Sequence, residues 1–380
     1  MKILGINFGG EKKEPTKLNK NKEYITSFSN GYPIPNDLID NRNLSTPYID
    51  DRRGYNFVYF GGDNLYPQHL VNLYLKSSIH SAIINFNTNI LLKNELIYED
   101  LDTSVENKIK KEKLKQIYNY TFLKSLLLDF YINKRIHINF KNGVPHIIDA
   151  EKVRYNIDKS IYYVNENWIY RSFSDIVEYK AYQNNKKDGM CSYMELTKGV
   201  LHYPIPTYIG AANWIFLDSN LSYFQKQAMI NSVNISSTLT IFEDFETEEE
   251  QKKFFDNLKM DYEGLKNTGK MMVFKGDPNN PETAPKFETT EPIELDKSFS
   301  SVQETIVNNI AYAHNTAPIL IGVATAGKLG STQEIQDTFN LYKNSVIYPN
   351  INILNSYLTD IAKKYGYKGN VKFDKNINLF

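Results

Sequence analysis

Two long stretches of helical periodicity, separated by an acidic excursion, restrict the fold of this chain more than any other feature. The first spans about 211 to 234 and sets Trp214, Leu217, Leu221, Phe224 and Ala228 three or four residues apart. That spacing makes one apolar stripe on a helix, roughly 35 Å long at 1.5 Å per residue. The second begins near Asp296 and carries Phe299, Val302, Ile306, Ile310 and Ala313 on one stripe until Pro318, which cannot continue a helix. A chain that leaves one helix and returns to start the other makes them antiparallel neighbours. Their opposite faces are polar, with Asn213, Ser219, Asn220, Gln227 and Asn231 on the first and Gln303, Asn308 and Asn309 on the second. The pattern fits a two-helix layer over a sheet, and equally a stalk whose faces meet copies of itself.

The excursion, residues 236–292, holds thirteen acidic residues against seven lysines and no arginine, six negative charges in excess. The whole chain has a formal net charge of zero, so the remainder carries the balancing positive charge. Leu239–Phe242 and Met271–Phe274 read as strands. Thr247-x-x-Glu250 opens a helix bearing Phe254, Phe255, Leu258 and Tyr262 that ends at Gly264, with hydroxyl and carboxylate placed to cap it. A strand-helix-strand unit of under sixty residues buries little core alone. Neighbouring copies around a ring supply what it lacks.

The N-terminal half reads as helices followed by a sheet, α+β. Residues 9–23 form a Lys-, Glu- and Asn-rich arm, and residues 24–60, with Tyr-Pro-Ile-Pro at 32–35 and Arg52-Arg53-Gly54, read as loops and short strands. Gly61-Gly62-Asp63-Asn64-Leu65-Tyr66-Pro67 is a turn; without a following Lys-Ser/Thr it does not make a phosphate cradle. Ser77 or Ser78 caps a helix carrying Ile79, Ala82, Ile83, Phe86 and Ile90. Thr103-x-x-Glu106 caps the next, expected to run to about Tyr131 with Ile109, Ile117, Tyr120, Leu123, Leu127 and Phe130 inward. From Arg135 the period becomes two, and Asn142-Gly143 supplies a hairpin turn. Further strands are expected at 152–157, 161–164, 168–170, 176–182, 190–196 and 200–205. After Pro318 come an apolar run, a loop at 324–330 whose only charge is Lys328, and a last long helix opened by Ser331-x-x-Glu334. Its inward residues are Ile335, Phe339, Tyr342 and Val346, and a kink is expected at Pro349.

Chemistry-bearing motifs are missing. The six histidines, His69, His80, His137, His146, His202 and His314, show no metal-ligand spacing. There is no Gly-x-Ser-x-Gly elbow, and Gly327-Lys328 lacks the upstream glycine and following hydroxyl of a nucleotide-binding loop. No cofactor is expected and no enzymatic activity. The single cysteine, Cys191, rules out an internal disulfide framework and suits a reducing compartment. No apolar run reaches the eighteen or so residues of a membrane span, and Met1 to Gly10 does not read as a signal peptide, so a cytosolic chain is expected. Zero net charge argues against a tight nucleic-acid clamp, which gains affinity from basic excess through counterion release.

The ordered set of long helix, acidic strand-helix-strand insert, long helix, flexible loop and kinked helix resembles the portal proteins of tailed bacteriophages, in particular the lambdoid-style family. The resemblance spans about 62 to 362. It is carried by the Gly62-to-Pro67 turn with Ser78-Ile79-His80-Ser81-Ala82-Ile83-Ile84, and by Tyr208-Ile209-Gly210-Ala211-Ala212 leading into the first long helix. Thr247-Glu248-Glu249-Glu250 with Asn267-Thr268-Gly269-Lys270-Met271-Met272-Val273, Ala317-Pro318-Ile319-Leu320-Ile321-Gly322, and Ser331-Thr332-Gln333-Glu334 complete it.

The resemblance implies a portal-type fold: a mixed wing (1–206), a two-helix stem (207–234 and 293–318), a small α/β clip (235–292), a tunnel loop (319–330) and a long kinked helix returning to the wing (331–380), with the helical crown of some relatives reduced or absent. It implies a head-tail connector in the virion, assembled in the host cytoplasm as a homo-oligomeric ring, generally dodecameric, at one capsid vertex. Double-stranded DNA would pass through it during packaging and ejection. The large terminase subunit, the major capsid protein and a head-tail adaptor would be its partners, without membrane contact. The implied site residues are Thr325 and Lys328 facing DNA from the tunnel loop. Stem packing falls to Trp214, Leu217, Leu221, Phe224, Val302, Ile306 and Ile310, and partner docking on the clip to Glu248, Glu249, Phe254 and Phe255. A DNA-processing enzyme or a non-ring tail or surface binding module are the alternatives.

Overall fold

The computed structural model describes residues 49–50, 55–169, 175–200, 202–231, 235–241, 247, 249–250, 252–254, 270–275, 295–323 and 331–377. Twelve strands and eight α-helices are formed among these residues, and the fold is α+β. The short pair β1 (Ile49–Asp50) and β2 (Phe57–Val58) precedes α1 (Tyr66–Lys76) and α2 (Ser78–Leu92), both in the main core. Ser77 caps α2, accepting from the His80 amide.

After β3 (Leu96–Asp100) the sequence expectation of one long helix fails. There are two, α3 (Val105–Ile117) and α4 (Tyr120–Asn133). Asn119 breaks them by accepting from the Phe122 amide, an N-cap in mid-pattern. Ile109 and Tyr120, expected inward, are exposed. The cap of α3 is Ser104 rather than Thr103, its hydroxyl accepting from the Asn107 amide.

The hairpin β4 (Arg135–Lys141) and β5 (Val144–Ile148) turns at Asn142-Gly143, both with positive φ, as a tight hairpin turn demands. β4 is the middle strand of β5-β4-β9, with β9 at Met190–Met194. Although its sequence alternates, Arg135 to Phe140 are all buried, because the polar face is covered as well. A second antiparallel sheet, β6-β7-β8, comprises Val153–Tyr155, Ile161–Val164 and Val177–Lys180. The strands expected at 168–170 and 200–205 are not formed among the described residues.

Next come α5 (Ala212–Asn231), entered through a 3-10 turn at Thr207–Ala211, and the strands β10 (Ile235–Ile241) and β11 (Lys270–Lys275). These two pair in parallel, as a strand-helix-strand crossover requires. The helix between them is described only at 249–250 and 252–254, where the Glu250 amide donates to Thr247 Oγ1. Helix α6 (Leu295–Ala313) returns antiparallel and packs on α5. It stops before Pro318: Asn315 takes a left-handed conformation and the Thr316 amide bonds back to Ala311, while Pro318 opens a 3-10 turn to Ile321.

The final helix is continuous in its hydrogen bonding past Pro349. α7 (Thr332–Tyr342), capped by Ser331, passes through a π-helical turn at Lys343–Ile347 into α8 (Tyr348–Tyr365), with Pro349 in the first turn of α8. The π turn moves the irregularity one turn ahead of the proline, which then sits where its missing N–H costs least. The chain closes on β12 (Gly369–Phe373), antiparallel to β3 and packed on α8. One continuous core joins α1, α2, α4, the β4 sheet, the facing ends of α5 and α6, and α8.

Candidate functional site

The Gly61-to-Pro67 turn is a structural knot. Gly61 has φ of +80° and Asn64 of 65°, and a Cβ on Gly61 would press against Tyr66. Asn64 Oδ1 accepts from the Phe60 amide and from Arg154 Nε, at 3.1 and 2.6 Å. Arg154, fully buried, also donates to the carbonyls of Asn64, Glu151 and Val153 and to Gln68 Oε1, and lies over the Trp168 ring. Asp63 accepts from the Leu65 amide and pairs with His69 at 3.1 Å, which helps hold its carboxyl below the usual range against the desolvation that opposes it. Beside it Arg135, equally buried, lies 5.0 and 5.1 Å from the Phe60 and Tyr203 rings. The side chains of Asp63 and Asn64 are thus committed to the protein itself, while the Tyr66 hydroxyl is buried without a hydrogen-bond partner among the described residues.

The antiparallel α5–α6 hairpin behaves differently along its length. At the root, Ala211 just before α5, Ala212 and Ile215 on it, and Ile306 and Ile310 of α6 belong to one buried core, and Val307 and Ala311 are buried as well. Trp214 and Leu221 are half-buried against the same core. Leu217 and Val302, expected in the seam, are instead 45% and 42% exposed. Residues 300–305 are exposed all round α6, so burial begins abruptly at Ile306. Within one copy the fully buried residue of this stretch of α5 is Ile215, two positions before Leu217. Ile306 and Ile310 are where the spacing put them. The side chains of Phe224 and Phe299 lie outside the described residues.

Two contacts that periodicity does not reveal fasten the root to the first turn of α2. Asp218, on α5, accepts from Ser77 Oγ at 2.7 Å, from Ser78 Oγ at 3.2 Å and from the Ile79 amide at 3.2 Å. A carboxylate there satisfies unpaired donors at a helix N-terminus and complements its dipole. From the end of α6, His314 Nε2 meets His80 Nδ1 at 2.9 Å. Tyr208 lies against both rings, centroids 4.4 and 5.1 Å away, and donates its hydroxyl to the Ile132 carbonyl. Burial, with the second ring alongside, holds His80 well below the ordinary histidine range, and burial beside Lys134 pushes His314 down to about 3. Both rings are neutral at neutral pH. Sequence offered only the Ser77-Ser78 cap as a signal; partners 140 and 234 residues away carry no local pattern.

Of the remaining candidate residues, Glu249 is exposed and Phe254 half-buried. Glu248, Phe255, Thr325 and Lys328 lie outside the described residues. Among the described residues no group of three His, Cys, Asp or Glu is placed to hold a metal, and no helix is long and apolar enough to cross a membrane. Cys191 is half-buried in β9, and burial pushes its thiol up to about 11.

No family model matches the sequence, and no curated protein matches it. Solved structures do match by fold. A chain from the neck of an empty gene transfer agent particle, computed with sixfold symmetry, superposes with a TM-score of 0.55 at 13% identity, over 82% of this chain and 86% of that one. A chain from the neck of the native particle, computed with twelvefold symmetry, gives 0.54 at 13% over 89% and 88%. An HK97 family phage portal protein from Corynebacterium diphtheriae gives 0.45 at 8% over 80% and 93%. At these identities the likeness is one of fold.

Proposed function

We propose that the chain is a portal protein: copies close into a ring at one vertex of a phage or phage-like particle and form the channel through which double-stranded DNA is packaged and later released. The observation that carries this reading is the outer half of the α5–α6 hairpin. Leu217 and Val302 stay in water and α6 is exposed all round at 300–305, while the root of the same helices is dry. A two-helix projection that leaves apolar side chains such as Leu217 and Val302 in water is completed by neighbours of its own kind. Similarity of fold to the particle-neck chains supports the same reading.

In this reading α5 and α6 are the stem, the β10–β11 unit is the clip, and residues 319–330 are the tunnel loop. The large terminase subunit and a head-tail adaptor dock on the ring, Glu248, Glu249, Phe254 and Phe255 belong to the docking side, and no catalysis occurs. The acidic excess of the insert keeps DNA phosphates from adhering. Lys328, with Thr325 beside it, becomes a collar of like charges when repeated around the bore and touches passing phosphates weakly.

Light scattering on the purified chain tests the reading. The wild type is expected at a high multiple of the 44.0 kDa chain mass, whereas Leu217→Asp and Leu221→Asp abolish the ring. Ring-sized particles from both variants would show the stem assignment wrong. Lys328→Glu is expected to leave rings intact and to change DNA packaging or retention; unchanged packaging and retention would remove its role.

A further inference from the structure

At residues 77–80 two helices distant in sequence are fastened to one turn by chemically unlike contacts. Asp218 reaches it from α5 as a side-chain cap, and His314 reaches it from the end of α6 as half of an imidazole pair. Both partners belong to the hairpin, and α2 belongs to the core. The angle at which the hairpin leaves the core is therefore set at this turn.

The imidazole contact depends on where its protons sit. Two nitrogens 2.9 Å apart need one proton and one lone pair between them. With both rings charged, N–H faces N–H and the contact is lost. A first added proton also finds no carboxylate free to receive it. The titratable groups around the pair are Lys134 at the end of α4, whose ammonium lies 4.5 Å from the Phe130 ring, Tyr208 before α5, Tyr66 on α1, and Asp218, already bound to Ser77, Ser78 and Ile79. The 3-10 turn at Pro318–Ile321 brings no charge. His80 Nε2 is buried without a partner, so a proton placed there has nothing to donate to.

We propose that residues 77–80 form an acid-sensitive joint at which the His314 contact opens while the Asp218 contact holds, so that mild acid releases α6 and not α5 from the core. The sign follows from linkage. Both histidines titrate lower in the closed joint than in the open one, so protons bind preferentially to the open form. Closure is complete above the ordinary histidine pKa of about 6.5 and weakens as pH falls below it. The joint is internal to one copy, so its behaviour does not depend on whether copies close into a ring.

Hydrogen exchange on the full chain, read by mass spectrometry at pH 7.5 and 5.0 and corrected for intrinsic rates, tests this. Amides of residues 306–314 are expected to open at least about thirtyfold more at pH 5.0, the change for one histidine about 1.5 units below its open-state pKa, while residues 212–220 change less than twofold. The substitution H314Q, which cannot take a proton, is expected to reduce the pH dependence at 306–314 to the part that His80 carries. Equal protection at both pH values in the wild type, or the same pH dependence in H314Q, would overturn the proposal. Should H314Q fail to fold, the ring-proton titrations of His80 and His314 in the wild type decide: midpoints below 5 with the joint closed support it, and ordinary midpoints near 6.5 overturn it.

Discussion

The core around Arg154 and the outer half of the α5–α6 hairpin solve the same problem in opposite ways. Arg154 finds its partners within the chain: five hydrogen bonds and an aromatic face satisfy one buried guanidinium. In the outer hairpin Leu217 and Val302 keep the periodicity of buried residues without being buried. The first region is finished when one copy has folded, and in the proposed function the second is finished only by more copies. Residues chosen for packing and residues chosen for association therefore look alike in sequence and differ only in what the folded chain places opposite them.

Substitutions sharpen this contrast. Arg154→Leu strips five acceptors of their donor inside the core and is expected to cost about 4 kcal/mol, near the upper end for single substitutions; a urea midpoint close to wild type would break the comparison on its core side. Ile310→Ala opens a cavity at the dry root and is expected to cost about 3 kcal/mol by the same measurement. Asp218→Ala removes the cap shared by Ser77, Ser78 and Ile79 and is expected to cost about 1 kcal/mol, with faster exchange at the first turn of α2. Val302→Ser and Leu217→Ser are expected to move monomer stability by no more than about 0.5 kcal/mol while weakening association sharply. If they unfold the monomer instead, the outer hairpin belongs with the core and the contrast is gone.

Much of the fold is legible in the sequence because its signals are local. The Asn142-Gly143 turn, the Ser77 and Ser331 caps, the Thr247 cap and the spacing of Ile306 and Ile310 each act within a few residues. What sequence hides is what distance decides. Asn119 splits an apparently continuous helical pattern because its side chain caps the following turn, a choice propensity does not dictate. The polar residues of β4 are buried because Arg135 finds aromatic rings from β2's flank and from Tyr203. The β3–β12 pairing joins segments more than 260 residues apart. The candidate site is less legible still. Asp218 and His314 read as polar positions on helix faces, and only the folded chain brings both to the same turn.

The central claim is that one copy of this chain is structurally incomplete and that its hairpin is completed by closed, circular association. Negative-stain images of the purified protein test it most directly. A population of annular particles with rotational symmetry and a central opening is the predicted result; a uniform field of single copies or open-ended chains, with no annulus at any protein concentration, would contradict it.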